Sequence, residues 1–196
     1  MSAPLSREAL AQLFTDARSL HSFTSQPVSP DTIQQLYELL KWGPTAFNGQ
    51  PGRYVFLQTH QARQQLSPAL SAGNRDKTLA APLTVIVAYD TAFHEQLPTQ
   101  FPVFDAKGFY DNLPHLIEPG ARSNATLQGA YLILAARALG LDAGPMTGFD
   151  AEAVDRTFFA DGRYKSLLLV NLGYGQREGL YPRGPRLAYE DVVSIL

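Results

Sequence analysis

The run Leu83-Thr84-Val85-Ile86-Val87-Ala88-Tyr89 constrains this chain more than any other stretch. It is rich in β-branched residues and bounded by Pro82 and Asp90, so it reads as a strand. Its near-continuous apolarity removes the alternation expected of a strand with one wet face. The strand must then be central, with helices covering both faces of its sheet. Tyr54–Leu57 and Ser166–Leu172 supply further strands, the latter closed by Gly173-Tyr174-Gly175.

Helical signals surround these strands. Ser6 is a candidate cap before Leu10, Leu13, Phe14 and Ala17. Ser29 caps and Pro30 opens a helix whose Ile33, Leu36, Tyr37 and Leu40 form one stripe. That helix stops before Gly43-Pro44. Residues 60–71 read as a helix on an Ala/Gln/Leu pattern. Residues 121–139 are apolar almost all round, which predicts a core helix, with Gly140 as its C-cap. Asp150 caps another helix running to Phe159. Residues 91–119 follow neither period. Pro98, Pro102, Pro114 and Pro119 stand among Phe93, Phe101, Phe104, Phe109 and Tyr110, so short helices are expected. The segment is either a cover over a planar ligand or an excursion packed by its own aromatics. The tail, 186–196, is partly apolar and can dock on the body or on a partner. Helices alternate irregularly with few strands, which gives α/β or α+β, in one domain spanning 1–196.

Composition excludes several chemistries. The 196 residues contain no cysteine, so thiol nucleophiles, Cys-ligated zinc and iron–sulfur clusters are ruled out. Any redox chemistry must come from a bound cofactor. A net charge of −2 argues against nucleic-acid binding. Residues 1–20 include Arg7, Glu8, Asp16 and Arg18 and do not resemble a signal peptide. No apolar run is long enough to span a membrane, so a cytoplasmic protein is expected. The four histidines, His21, His60, His94 and His115, show no metal-ligand spacing, and no metal is expected. There is no Rossmann fingerprint, Walker A loop or nucleophile elbow.

Four segments place Gly/Pro punctuation beside polar side chains: Asp16–Phe23, Gly43–Pro51, Gly73–Lys77 and Gly144–Asp150. Arg183 and Arg186 lie near the C-terminus. Taken singly, each reads as a loop, a turn or solvated surface. Taken in this order, they resemble the FMN-dependent nitroreductase family over nearly the whole chain. Arg18-Ser19 before Phe23 is similar to the family's phosphate-contacting segment. Pro44-Thr45-x-x-Asn48-x-Gln50-Pro51 matches its Pro-Ser/Thr-x-x-Asn-x-Gln-Pro loop. Asn74-x-x-Lys77 matches its flavin-edge pair, and Pro145-Met146-x-Gly148-Phe149-Asp150 matches its turn beside flavin N5. SAGNRDKTL, DAGPMTGFD, KSLLLVNLGYG and the closing Pro185-Arg186-Leu187 look like the RutE type, associated with reducing malonic semialdehyde to 3-hydroxypropanoate in pyrimidine degradation.

The resemblance implies an α+β sandwich, with a mostly antiparallel central sheet flanked by helices, in an intertwined homodimer. Two FMN sites would lie at the subunit interface. It assigns Arg18, Ser19, His21, Arg183 and Arg186 to the phosphate end, with His21 cationic only when protonated. Pro44, Thr45, Asn48 and Gln50 would line the ring or ribityl chain. Asn74 and Lys77 would meet the N1/O2 edge, with Lys77 favouring the reduced cofactor. Pro145, Met146, Thr147 and Gly148 would lie near N5, with Thr147 and Gly148 offering backbone N–H groups. NADH or NADPH would visit transiently, followed by a small-molecule acceptor, with ping-pong kinetics. Arg75 and Arg122 are candidates for an acceptor carboxylate. Ala17 and Gly184 stand where the family commonly carries basic residues. A general quinone, nitro or enal reductase remains open, as does a flavin-binding dimer without turnover.

Overall fold

A computed structural model describes residues 3–196; Met1 and Ser2, the first two residues of the expected domain, lie outside the described residues. The order is α1 (Arg7–Leu10), α2 (Pro30–Leu40), β1 (Gly52–Leu57), α3 (His60–Leu66), α4 (Ala72–Ala80) and β2 (Leu83–Asp90). Next come α5 (Leu97–Gln100), α6 (Ala106–Asn112), α7 (Ile117–Ala138), β3 (Asp142–Met146), α8 (Ala151–Phe158), β4 (Tyr164–Gly173) and α9 (Tyr189–Val192). The four strands form one antiparallel sheet in the order β1-β2-β4-β3. This is the expected α+β class.

The central strand behaves as its composition requires: every residue of β2 is buried. Its pleat divides the core in two. Val85 and Val87 join Leu36 and Leu40 of α2 and Leu132 and Ala136 of α7. Ile86 and Ala88 face the other way, onto Leu66 of α3 and Val154 of α8. Helices therefore cover both sheet faces.

Local signals explain most element ends. The hydroxyls of Ser6 and Ser29 and the Asp150 carboxylate accept from Ala9 N, Thr32 N and Ala153 N, closing orphan donors of the first turns. The N-terminal helix continues as a π turn over Ala11–Thr15 and ends before Ala17. Gly140 has φ +78°, the left-handed cap that ends α7.

Three expectations need correction. The helix expected over 60–71 breaks at Leu66 into a 3-10 turn, Ser67–Ala69. A separate helix, α4, follows, which the sequence does not announce. Gly73, Asn74 and Asp76 are poor helix formers, and the Ser71 side chain makes no capping bond. Tertiary contact holds α4 instead, through buried Thr78, whose Oγ1 accepts from Asn171 Nδ2 of β4 at 3.3 Å. The third correction is β3, which reads as a turn because Gly144 and Pro145 are poor strand formers. Pro145 is tolerated where β3 has a single partner strand. Gly144 is required by close approach: a Cβ there would fall 2.3 Å from Leu20 O.

Residues 91–119 form short helical pieces, as expected. Their rings pack on one another and on Phe47, which lies 5.6 Å from Phe101, 5.7 Å from Phe104 and 5.8 Å from Phe109 between centroids. The tail carries the four-residue α9 and is exposed throughout. No helix of the described residues is long and apolar enough to cross a membrane.

Candidate active site

Three of the four punctuated segments meet at the β3 side of the sheet. Ser19 makes a parallel bridge with Ala143, and Leu20 N donates to Ala143 O at 3.1 Å. The strip Arg18–His21 is thereby laid along β3. The turn after β3 is tied to α4: the carbonyl of Gly148 accepts from Ser71 N (3.1 Å), Ser71 Oγ (2.8 Å) and Asn74 Nδ2 (2.8 Å). Any Cβ at Gly148 would meet Asn74 Nδ2 and Ser71 Oγ at 2.7 Å. A side chain at Gly148 would have to displace the two side-chain donors that tie this turn to α4.

Two cavities flank the strip. One, of about 370 Å³, is lined by Phe14, Ala17, Arg18, Ser19, Arg137, Arg183, Gly184 and Arg186. The second, of about 620 Å³, is lined by His21, Ser22, Phe23, Gly73, Asp76, Lys77, Ala80 and Gln176. Arg18 Nη2 donates to Tyr181 O at 2.5 Å, and Arg183 Nη2 donates to Thr15 O (2.6 Å) and Ala17 O (2.9 Å). These bonds fold the chain after β4 back over the N-terminal segment, which places Arg183 and Arg186 beside Arg18. Lys77 is half-buried. Its ammonium makes no hydrogen bond or ion pair among the described residues, and its backbone carbonyl accepts from Asn171 Nδ2 at 3.4 Å.

The turn itself divides into two roles. Thr147 and Gly148 are exposed, and among the described residues their N–H groups have no backbone partner. Met146 is buried, with its Sδ 3.6 Å from Thr78 Oγ1, so its side chain serves the core rather than the opening. Pro145 is exposed.

The fourth segment is elsewhere. Thr45 Oγ1 accepts from Gln50 N at 3.1 Å, Asn48 Nδ2 donates to Gln100 O at 3.1 Å, and Gln50 Nε2 donates to Asn48 Oδ1 and Gln100 Oε1. Phe47, Asn48 and Gln50 all have φ between 42° and 52°. That is a strained conformation for non-glycine residues, and such strain concentrates at functional loops. Pro44 is exposed at its start. The loop leads into β1, at the opposite edge of the sheet from Ser19. Gly52 pairs with Tyr89, which pairs with Lys165, whereas Ala143 pairs with Leu172. Four strand spacings across and seven residues along put Gly52 roughly 30 Å from Ser19. A single chain does not bring this loop to the other three segments.

Of the two arginines considered for an acceptor carboxylate, Arg75 lies two residues from Lys77, on nearly the opposite side of α4, and donates to Leu70 O at 3.3 Å. Arg122, on α7, lies 4.0 Å from Glu118 and 5.6 Å over the Tyr89 ring, in the wall of a separate cavity. Arg137 is the residue that the sequence motifs omit. It lies in a helix that reads as core, and only the docking of α7 against the N-terminal segment exposes its guanidinium to the cation cavity.

Known proteins share this sequence pattern and this fold. The model described as "Nitroreductase family" matches residues 14–174. A Rhodopseudomonas palustris protein named "Putative NADH dehydrogenase/NAD(P)H nitroreductase" is 55% identical over 196 residues, covering 100% of both chains. A crystal structure titled "putative nitroreductase" from Bacillus subtilis superposes with TM-score 0.87 at 25% identity, covering 97% of this chain and 100% of that one. One from Exiguobacterium sibiricum, solved in complex with FMN, gives TM-score 0.80 at 18% identity and covers 100% of both.

Proposed function

The chain belongs to the nitroreductase family, and on that premise we propose that it is an FMN-dependent NAD(P)H oxidoreductase. In this reading it acts as a homodimer, with malonic semialdehyde as acceptor and 3-hydroxypropanoate as product. The supporting observation is the meeting of three distant segments at the β3 side, where an unpaired lysine and a carboxylate-free arginine cavity flank Ser19. That donor set fits a flavin mononucleotide. Guanidinium groups and a hydroxyl suit a phosphate monoester, and a half-buried ammonium without an ion partner among the described residues suits the electron-rich edge of an isoalloxazine ring.

FMN bound there supplies hydride acceptance from a nicotinamide and hydride donation to the acceptor. The chain's residues bind and orient. Arg18, Ser19, Arg183 and Arg186 hold the phosphate end, whereas His21, expected there from the motif, lines the cavity of Lys77 instead. Lys77 sets a positive charge against the ring edge where negative charge collects on reduction. Asn74, with one amide N–H committed to Gly148 O, keeps its second N–H to donate to that edge. Thr147 and Gly148 present free N–H groups from a turn held rigid by Ser71.

Pro44, Thr45, Asn48 and Gln50 reach the flavin only from a second copy of the chain, given their distance from Ser19 in this one. Exposed apolar side chains on or beside α2 and α7, including Tyr37, Trp42 and Leu127, give such a copy a surface to cover. The acceptor assignment rests on the RutE-type segments. A second reading, quinone or nitro reduction, is favoured by the name of the relative 55% identical to this chain.

An anaerobic experiment tests both. Protein loaded with FMN should be yellow and bleach with NADH or NADPH, and malonic semialdehyde should restore the colour. Restoration by a quinone or nitroarene but not by malonic semialdehyde would select the second reading. A colourless protein that ignores FMN would refute both.

A further inference from the structure

Four arginines share the cavity beside Ser19, and Arg137 differs from the other three in how it is held. Arg18, Arg183 and Arg186 sit on irregular chain and donate to backbone carbonyls. Arg137 sits in the last turn of α7. Its backbone and side chain are both tied to the N-terminal π turn: Gln12 Nε2 donates to Arg137 O at 2.6 Å, and Arg137 Nη1 donates to Leu13 O at 2.9 Å. Its Nε is buried without a partner.

No aspartate or glutamate lines the cavity. Among the described residues none of the four guanidiniums forms an ion pair; the nearby Asp142 is taken by Arg177 at 3.1 Å. Burial pulls the Arg137 guanidinium below its ordinary value; Asp142 opposes this and Arg183 adds to it. A partly buried cation beside a second one, with a donor left over, favours an anion that completes the group.

We propose that Arg137 anchors the terminal phosphate monoester of the cofactor, supplying from a helix a charge-assisted contact that the arginines on irregular chain complete. The inference rests on the FMN reading above. It also assigns the phosphate, not the ring, as the group that Arg137 recognises. A phosphate could equally be offered by free inorganic phosphate or by the 2′-phosphate of NADPH, and the experiment separates these.

The measurement is equilibrium binding of FMN and of riboflavin to apo protein, followed by flavin fluorescence, for wild type, Arg137→Gln and Arg137→Lys. Arg137→Gln should weaken FMN roughly tenfold or more and leave riboflavin unchanged, as expected on losing one charge-assisted bond. Arg137→Lys should recover part of the loss, since the ammonium keeps the charge but not the fork. Inorganic phosphate should raise the melting temperature of wild-type apo protein more than that of Arg137→Gln. Equal losses for FMN and riboflavin, or no change in their ratio, would overturn the proposal while leaving the FMN reading intact. If Arg137→Gln fails to fold, the FMN-to-riboflavin ratio of Arg137→Lys decides by the same criterion. Protection by adenosine 2′-phosphate exceeding that by FMN would reassign the cavity to the dinucleotide and overturn it. Wild type that binds neither FMN nor phosphate would bring down the functional reading as well.

Discussion

Lys77 and Asp90 show how differently one charge can be used. Lys77 faces a cavity without an ion partner among the described residues. Asp90 is 1% exposed and receives Arg53 at 2.7 Å and Arg163 at 2.6 Å, while Arg163 also reaches Glu95 at 2.9 Å. The Asp90 hydrogen bond holds the Arg163 guanidinium above its ordinary range. Removing Asp90 leaves two arginines facing each other at the end of β2. Asp90→Ala should therefore lose about 3 kcal/mol of stability, read as a lower denaturant midpoint with an unchanged slope. Lys77→Ala should do the opposite. Its ammonium makes no hydrogen bond or ion pair among the described residues, so the midpoint should stay within about 0.5 kcal/mol of wild type. Reduction of bound FMN by NADH in stopped flow should slow roughly 100-fold, the scale for losing one preorganised charge. Full rate with FMN bound would show that Lys77 does not serve the ring edge.

Elements in this protein end where single residues tell them to, and α7 gives the cleanest case. Gly140 caps it at φ +78°, and a Cβ there would meet nothing within 4 Å. Gly140→Ala therefore isolates backbone strain from crowding. It should cost about 1 kcal/mol, visible as a modest fall in melting temperature with the spectrum of the folded state unchanged. The loop Ala46–Gln50 is the reverse case, where neighbours impose the conformation. Phe47 is held at positive φ inside a ring cluster supplied by residues 91–119, and Gly49 lies so close to Phe93 that a Cβ would come within 2.9 Å. The irregular segment thus shapes the loop that carries Asn48 and Gln50.

At the scale of the whole molecule, the separation between that loop and Ser19 is the governing fact. One flavin cannot span roughly 30 Å of sheet while touching both, so the proposed site draws its two parts from two chains. Mixing two inactive variants tests this directly. Dimers dissociated and reassembled from Lys77→Ala together with an Asn48→Ala/Gln50→Ala double variant should recover about a quarter of wild-type activity. Random pairing makes half of the dimers mixed, and each mixed dimer keeps one intact site of two. No recovery, with mixed dimers demonstrated by mass, would place both motifs on one chain's site and overturn the shared arrangement.

What residue order determined here is local or periodic. The unbroken apolarity of residues 83–89 made β2 central, and the Ser6, Ser29, Asp150 and Gly140 caps set helix ends, because both depend on groups a few bonds apart. The motifs around Arg18, Thr45, Asn74 and Gly148 were likewise visible as short patterns. Tertiary structure alone decided β3, whose Gly144 and Pro145 oppose a strand until Leu20 and β4 close on them, and α4, whose weak formers are held by Asn171 from across the sheet. It alone placed Arg137 in the cation cavity, since a helix that reads as core reveals which face it turns outward only after it has docked. It also divided the site into three segments that one chain assembles and a fourth that it cannot. Sheet register, the property that fixes this division, arises from pairings between residues as far apart as Leu83 and Leu172, and no local pattern encodes such a distance.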